Sequence, residues 1–258
     1  MIDFLLPTSI AIILIMTIGF CLSLIYQNSS IVDGFWPLGI IGGLWATYSL
    51  HLTHIGLLIL CILATLWGVR LCLFLTLTRL IPGHKDHRYT ALESKWSGSF
   101  MFKSARHFYV QAALQLLVCT VSVPLLFADL STLSPIHGVA IAVFSLALAG
   151  ESIADWQLYR FKQSNQHGIC RSGLWNHSRH PNYFFEWLIW VSLSLLSWGL
   201  PYWIFATISP LSMWVIMRYI TGPYTEAQSV IRNGHLFEAY QRDVPMIIPS
   251  LNRLINRS

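Results

Sequence analysis

FLLPTSIAIILIMTIGFCLSLIY, residues 4–26, contains no Asp, Glu, Lys or Arg. A helix rises 1.5 Å per residue, so a stretch of about 20 mostly apolar residues crosses the hydrocarbon core of a bilayer. No basic segment precedes this run and no small-residue cleavage site follows it, so it reads as a retained membrane helix and not as a signal peptide. Working outward, further apolar runs fall near 36–52, 55–78, 108–128, 135–158, 183–199 and 201–221, separated by polar or Gly/Pro-bearing breaks. The second is short and glycine-rich.

The composition agrees with this reading. Only 10% of the 258 residues are charged and 55% are hydrophobic, against about 25% charged in soluble domains, and the mean hydropathy is +0.57. The expectation is an all-α polytopic membrane protein, a bundle of about seven transmembrane helices forming one domain over residues 1–258, with little chain left for a soluble domain. The five cysteines (Cys21, Cys61, Cys72, Cys119, Cys170) are scattered without a CxxC and read as small hydrophobes. There is no internal repeat, so the inverted-repeat signature of a secondary transporter is missing.

Alternate loops lie on opposite sides of a membrane, and cytosolic loops collect Lys and Arg. In a seven-span arrangement Arg79, Lys85, Arg88, Lys95, Lys103 and Arg106 share a side with Arg160, Lys162, Arg171 and Arg179 and with Arg218, Arg232, Arg242, Arg253 and Arg257. The opposite loops hold no Lys or Arg. This predicts an N-terminus outside and a C-terminus in the cytosol. The net charge of +5 is therefore an orientation signal, and no nucleic-acid partner is expected.

Polar groups inside spans are costly and mark candidate sites. Arg70 lies within Trp67-Gly68-Val69-Arg70 and admits two readings: a snorkelling or ion-paired residue, or a guanidinium that holds an anionic group. Glu151, Asp155, Leu158 and Lys162 recur at i, i+4, i+7 and i+11, which places two carboxylates and an ammonium on one helix face. Arg171, Arg179, His180, Asn182, Tyr183 and Glu186 then gather around Gly173 and Pro181, just before a span. Pro181 suits the first turn of the helix that follows, and a helix N-terminus beside Arg171, Arg179 and His180 suits an anion such as a dinucleotide phosphate. Asp33 either caps a helix or donates a proton. His84 and His87 lack further ligands at metal-binding spacing, and no metal site is expected.

The run from Asp155 through Gly173-Leu174-Trp175 and Ser178-Arg179-His180-Pro181-Asn182-Tyr183 to Glu186 resembles uncharacterised bacterial and eukaryotic membrane proteins grouped with the steroid 5-alpha-reductase family. Asp33-Gly34-Phe35-Trp36, Trp67-Gly68-Val69-Arg70, Asp86-His87-Arg88-Tyr89 and Tyr240-Gln241-Arg242-Asp243-Val244-Pro245 are similar to that group as well. The core motif is shared across a superfamily that includes enoyl-CoA and sterol reductases and the isoprenylcysteine and phospholipid methyltransferases.

The resemblance implies a seven-helix bundle with a cytosol-facing NADPH site at about residues 150–250. Asp155, Lys162, Asn182, Glu186, Arg171 and Arg70 match dinucleotide-contacting positions of the reductases, and the tail around Tyr240 closes over the cofactor. Where steroid reductases carry a substrate-polarising Tyr, three residues before Arg70, this chain has Trp67, and the accompanying Glu has no counterpart. Tyr89 and Asp33 are the substitute proton donors. The expectation is an NADPH-dependent reductase of an activated C=C bond in a lipid-like substrate, in a bacterial inner membrane with its active face cytosolic and membrane lipid around it. The alternatives are an S-adenosylmethionine-dependent methyltransferase of a prenyl or phospholipid substrate and a non-catalytic lipid-binding protein.

Overall fold

The first long helix, α1 (Ile2–Tyr26), ends where Gln27 takes a positive φ of 47°. Asn28 then caps a 3-10 turn by accepting from the Ser30 amide at 3.0 Å. The computed structural model describes residues 2–80, 89, 94, 97–128, 134–164 and 168–250. After α1 come α2 (Val32–Tyr48), α3 (Ile55–Leu75) and α4 (Phe100–Cys119). The Ser99 hydroxyl starts α4 by accepting the Phe102 amide at 3.4 Å. Next are a short α5 (Val123–Phe127), the long α6 (Pro135–Gln163) and α7 (Pro181–Leu195). The chain closes with α8 (Ile208–Val215), a π-helical turn over Ile216–Thr221, α9 (Gly222–Asn233) and α10 (His235–Asp243). Among the described residues there is no strand.

Among the described residues, five helical stretches are long and apolar enough to cross a membrane: Ile2–Tyr26, Ile55–Thr78, Phe100–Phe127, Pro135–Gln163 and Trp203–Asn233. They mark the chain as an integral membrane protein. The other two expected segments are helical but shorter, α2 at 17 residues and α7 at 15, roughly 25 and 22 Å against a core of about 30 Å. After Thr221 the polar tail carries the helix-like stretches that the sequence suggests, broken at Gly234: α9 runs to Asn233, with Pro223 in its first turn, where its missing N–H costs nothing. Gly234, at φ 53°, ends it.

The chain divides into two compact units, Met1–Ala140 with Leu193–Ser212, and Ile141–Ser192 with Met213–Ser258. In the first unit α1 packs on α2 and α4, and α2 packs on α3. Hydroxyl pairs pin these helices, Thr8 to Thr47 at 2.6 Å and Ser23 to Ser104 at 2.6 Å. Between membrane helices such a bond contributes about 0.6–2 kcal/mol. In the second unit the absent side chain of Gly150 on α6 makes room for the Phe185 ring on α7.

Gly19 is the corresponding close approach in the first unit: a Cβ there would lie 2.6 Å from the Phe35 ring and 2.7 Å from that of Phe108. Gly19→Ala is therefore expected to overpack the α1–α2–α4 contact and destabilise by about 1–3 kcal/mol. The check is a lowered thermal unfolding midpoint in detergent, while Gly138→Ala, where a Cβ meets nothing within 4 Å, leaves the midpoint in place.

Candidate functional site

The stripe on α6 is formed as its spacing requires. Glu151 and Asp155 are buried, at 3% and 6% exposure, and Lys162 near the end of the helix is exposed. Asp155 Oδ1 accepts a hydrogen bond from Asn182 Nδ2 on α7 at 3.2 Å, so the two motif stretches meet. Pro181 occupies the first position of α7, and the His180 carbonyl accepts its first intrahelical bond from Phe184 at 3.2 Å. The Asn182 side-chain oxygen, Oδ1, accepts from the Tyr183 backbone N–H at 3.1 Å. Glu186, 7% exposed, takes the Trp190 indole N–H one turn on at 3.0 Å. The Tyr183 ring stacks on the His180 ring at 4.8 Å between centroids.

Beside this cluster is a residue that the sequence did not single out. Glu226 on α9 accepts from Arg179 Nε at 2.7 Å and Arg179 Nη2 at 3.2 Å, pairs with His180 Nε2 at 3.1 Å, and accepts from Gln241 Nε2 at 2.7 Å. Arg179 Nη1 donates to the carbonyls of Gln241 at 2.9 Å and Val244 at 2.5 Å. Four of its five N–H groups are thus engaged within the protein. Arg179, expected beside a bound anion, holds the C-terminal segment to the start of α7.

The loop that carries the motif is tied down on two sides. Toward α6, Trp175 Nε1 donates to the Ala154 carbonyl at 2.9 Å and the Leu174 amide donates to Gln157 Oε1 at 3.0 Å. Gly173 takes φ 57° with its Cα against the Gln157 amide, a position suited to glycine alone. Toward the tail, the Arg179 and His180 amides donate to the carbonyls of Pro245 at 2.9 Å and Met246 at 3.0 Å. Tyr240 is 1% exposed, and its hydroxyl donates to the Trp175 and Ser178 carbonyls. Burial pushes its phenol well above the usual range, so it remains a donor at neutral pH. Arg171 differs from Arg179. It stays exposed, pairs with the equally exposed Asp243 at 2.7 Å and lies over the Tyr240 ring at 4.9 Å.

Asp33, Tyr89 and Arg70 belong to the first unit. There the Tyr89 hydroxyl donates to Asp33 Oδ1, and Gln111 Nε2 donates to the Tyr89 oxygen at 3.3 Å. His107, 4% exposed, sets its ring edge-on to Tyr89 at 5.1 Å. The two candidate proton donors are therefore hydrogen-bonded to each other. The sequence signal for their neighbours lies on α4, where Ser104, His107, Gln111 and Gln115 recur at i, i+3, i+7 and i+11 as a polar stripe inside an apolar span. Arg70 lies 5.8 Å from the centroid of the Phe74 ring, on the same helix as the fully buried Trp67. His84, Asp86, His87 and Arg88 lie outside the described residues.

Residues 19–244 match the model of a protein family described as "Protein of unknown function (DUF1295)", and the chain belongs to that family. It is also similar to "Uncharacterized protein C594.04c" of Schizosaccharomyces pombe, with 24% identity over an alignment of 220 residues that covers 69% of this chain. The chain spans about 62% of that relative's length. No solved structure matches it.

The Arg179–Glu226 pair is buried on both sides, at 11% and 9% side-chain exposure. Removing one member of such a pair costs about 3–5 kcal/mol because the other charge stays buried. Glu226→Leu is expected to release the tail, read as faster limited proteolysis after Asn233 and a lowered unfolding midpoint, whereas Asp243→Asn at the exposed pair changes stability by less than about 1 kcal/mol.

Proposed function

We propose that this DUF1295 protein is an NADPH-dependent membrane reductase that reduces an activated C=C bond in a lipid-like substrate, a sterol or an enoyl lipid. The observation that carries this reading is the hydrogen bond from the half-buried Asn182 to the buried Asp155, with the buried Glu151 and Glu186 on the same two helices. Three carboxylates buried on membrane helices are expensive unless a ligand or a polar network uses them. Resemblance to the steroid 5-alpha-reductase family supports the same residues as cofactor contacts.

The residues present fit a phosphorylated dinucleotide. Asp155, Asn182 and Glu186 offer acceptors and an amide suited to ribose hydroxyls and a carboxamide. Lys162 and Arg171 are exposed cations suited to phosphates, and Arg171 commits one of its five N–H groups to Asp243. Arg179 and His180 position the start of α7 through Glu226, and Tyr240 holds the motif loop. Arg70 is the cofactor-side arginine that the resemblance assigns in the first unit. A dinucleotide held at this site would supply a hydride for reduction of the C=C bond. Reduction also needs one proton, for which Tyr89 and Asp33 in the first unit are the candidates, and the proton lost is regained from water.

A second reading draws on the same carboxylates. With Arg179 neutralised by Glu226, the α6–α7 pair buries more acidic than basic side chains. That environment also suits the sulfonium of S-adenosylmethionine, and with it methyl transfer to a prenyl or phospholipid substrate. On either reading α2 and α7 complete a seven-span arrangement with the N-terminus outside and the basic loops in the cytosol, in a bacterial inner membrane.

The discriminating measurement is a thermal-shift titration with NADPH, NADH and S-adenosylmethionine. A ligand of the native state raises stability by RT ln(1 + [L]/Kd). NADPH is expected to give the largest shift, Asn182→Ala to remove most of it, and Arg171→Gln to weaken NADPH about tenfold, the scale of one charge-assisted hydrogen bond, without changing the ligand-free midpoint. A shift from S-adenosylmethionine alone favours methyl transfer, and an equal NADPH shift in wild type and Asn182→Ala sinks the assigned site.

A further inference from the structure

Arg171 and Asp243 meet on the surface of the second unit although 72 residues separate them in the chain. The contact is one bond, from Nη2 to Oδ2 at 2.7 Å, between two exposed side chains. The face of the guanidinium is held as well. Its carbon lies 4.9 Å from the centre of the Tyr240 ring, and the Tyr240 hydroxyl fixes that ring by donating to the Trp175 and Ser178 carbonyls. Arg171 is thus an anchored cation with an exposed edge, and the anion on that edge is Asp243.

Nothing in α10 itself calls for an acid at this position. Asp243 is the last residue of the helix, the end where the macrodipole disfavours a carboxylate and suits a cation. Two cations already serve that end, Arg242 within the last turn and Arg179 through the Gln241 and Val244 carbonyls. The partner that accounts for Asp243 is Arg171. An exposed pair joined by one bond is weak, because solvent and salt screen it. Asp243 therefore holds Arg171 only until a stronger anion arrives.

We infer that Asp243 is a specificity-determining residue: it occupies Arg171 against carboxylates and other monoanions and yields to phosphate, so that the site selects a phosphorylated ligand. This rests on the proposed cofactor reading, in which Arg171 meets a phosphate of a dinucleotide. A free carboxylate, such as that of a fatty acid in the surrounding membrane, can form with Arg171 only the kind of bond that Asp243 already makes. Asp243 makes it within the chain, at an effective concentration of roughly millimolar or above, so the free carboxylate gains nothing by replacing it. A phosphate brings more acceptor oxygens and more charge, and takes two parallel N–H bonds from the guanidinium fork where Asp243 takes one. It displaces the internal carboxylate where a monoanion does not. Selectivity of this kind comes from a built-in competitor and not from an added attraction.

The test reads Arg171 directly, as the rate at which phenylglyoxal, an arginine reagent, modifies it in the full chain in detergent, followed by mass spectrometry of the peptide that contains it. Arg232, exposed on α9, is the internal reference. In wild type, NADPH or inorganic pyrophosphate is expected to slow modification of Arg171 several-fold, and acetate at equal ionic strength to leave it unchanged. Asp243→Asn, which keeps the size of the side chain and removes its charge, should raise the rate without added anion up to about fivefold, the equilibrium equivalent of an exposed ion pair. In that variant acetate should now slow the reaction, and NADPH should protect at a concentration up to about fivefold lower. Acetate that protects wild type as well as pyrophosphate does, or NADPH and pyrophosphate that protect Asp243→Asn no better than wild type, would overturn the inference. If NADPH protects both proteins equally, the role of Asp243 falls and the cofactor reading stands. If pyrophosphate protects as expected while NADPH neither protects nor shifts the unfolding midpoint, Asp243 keeps its role and the dinucleotide assignment falls.

Discussion

The Glu226 carboxylate is the point on which the second unit turns. It takes hydrogen bonds from Arg179 and Gln241 and pairs with His180, so α9, α10 and the entry to α7 converge on one charge. Burying either Glu226 or Arg179 alone would cost several kcal/mol. Each is tolerable only if the other is present, and that condition fixes the geometry around them. The remaining donors of Arg179 go to the carbonyls of Gln241 and Val244, which lie at the C-terminal end of α10, where carbonyls lack intrahelical partners. One guanidinium thus neutralises a buried acid and caps a helix.

This arrangement sorts the cations. In the sequence Arg171, Lys162 and Arg179 stand together as candidates for an anion. In the fold, Arg179 is committed to an internal carboxylate, while Arg171 and Lys162 remain at the exposed edge. Desolvation explains the division: a buried guanidinium needs a full counter-charge nearby, whereas an exposed one can exchange its partner for a ligand at little cost. The α6–α7 pair also holds Glu151, Asp155 and Glu186, each buried.

Residues 4–26 revealed their helix because an uncharged apolar run of that length has few alternatives. The α6 stripe and the Asn182–Glu186 spacing were legible for a related reason: helical periodicity fixes which residues share a face, and Pro181 marks where the second helix begins. Glu226 was not legible, since its partners Arg179 and His180 lie 47 and 46 residues away and no local pattern encodes that distance. Gln157 and Gln241 were hidden in the same way, as polar residues whose acceptors and donors come from other elements. Asp33 and Tyr89 were selected one at a time for their chemistry, and their hydrogen bond across 56 residues belongs to the fold.

The depth of the polar cluster follows from α6 itself. Its apolar first half, from Pro135 to Gly150, suits the hydrocarbon core, and the carboxylates begin only at Glu151. At the far end Trp156 stacks on Tyr159 at 5.9 Å and lies 5.7 Å from the Arg160 guanidinium. Such aromatic and basic side chains settle at the headgroup level. With Trp156 at that level, Asp155 and Gln157 on either side of it in sequence share its depth, because one residue advances the helix by only about 1.5 Å. A carboxylate at that depth is far cheaper than one at the bilayer centre, which lets α6 bury two acids and still cross the membrane.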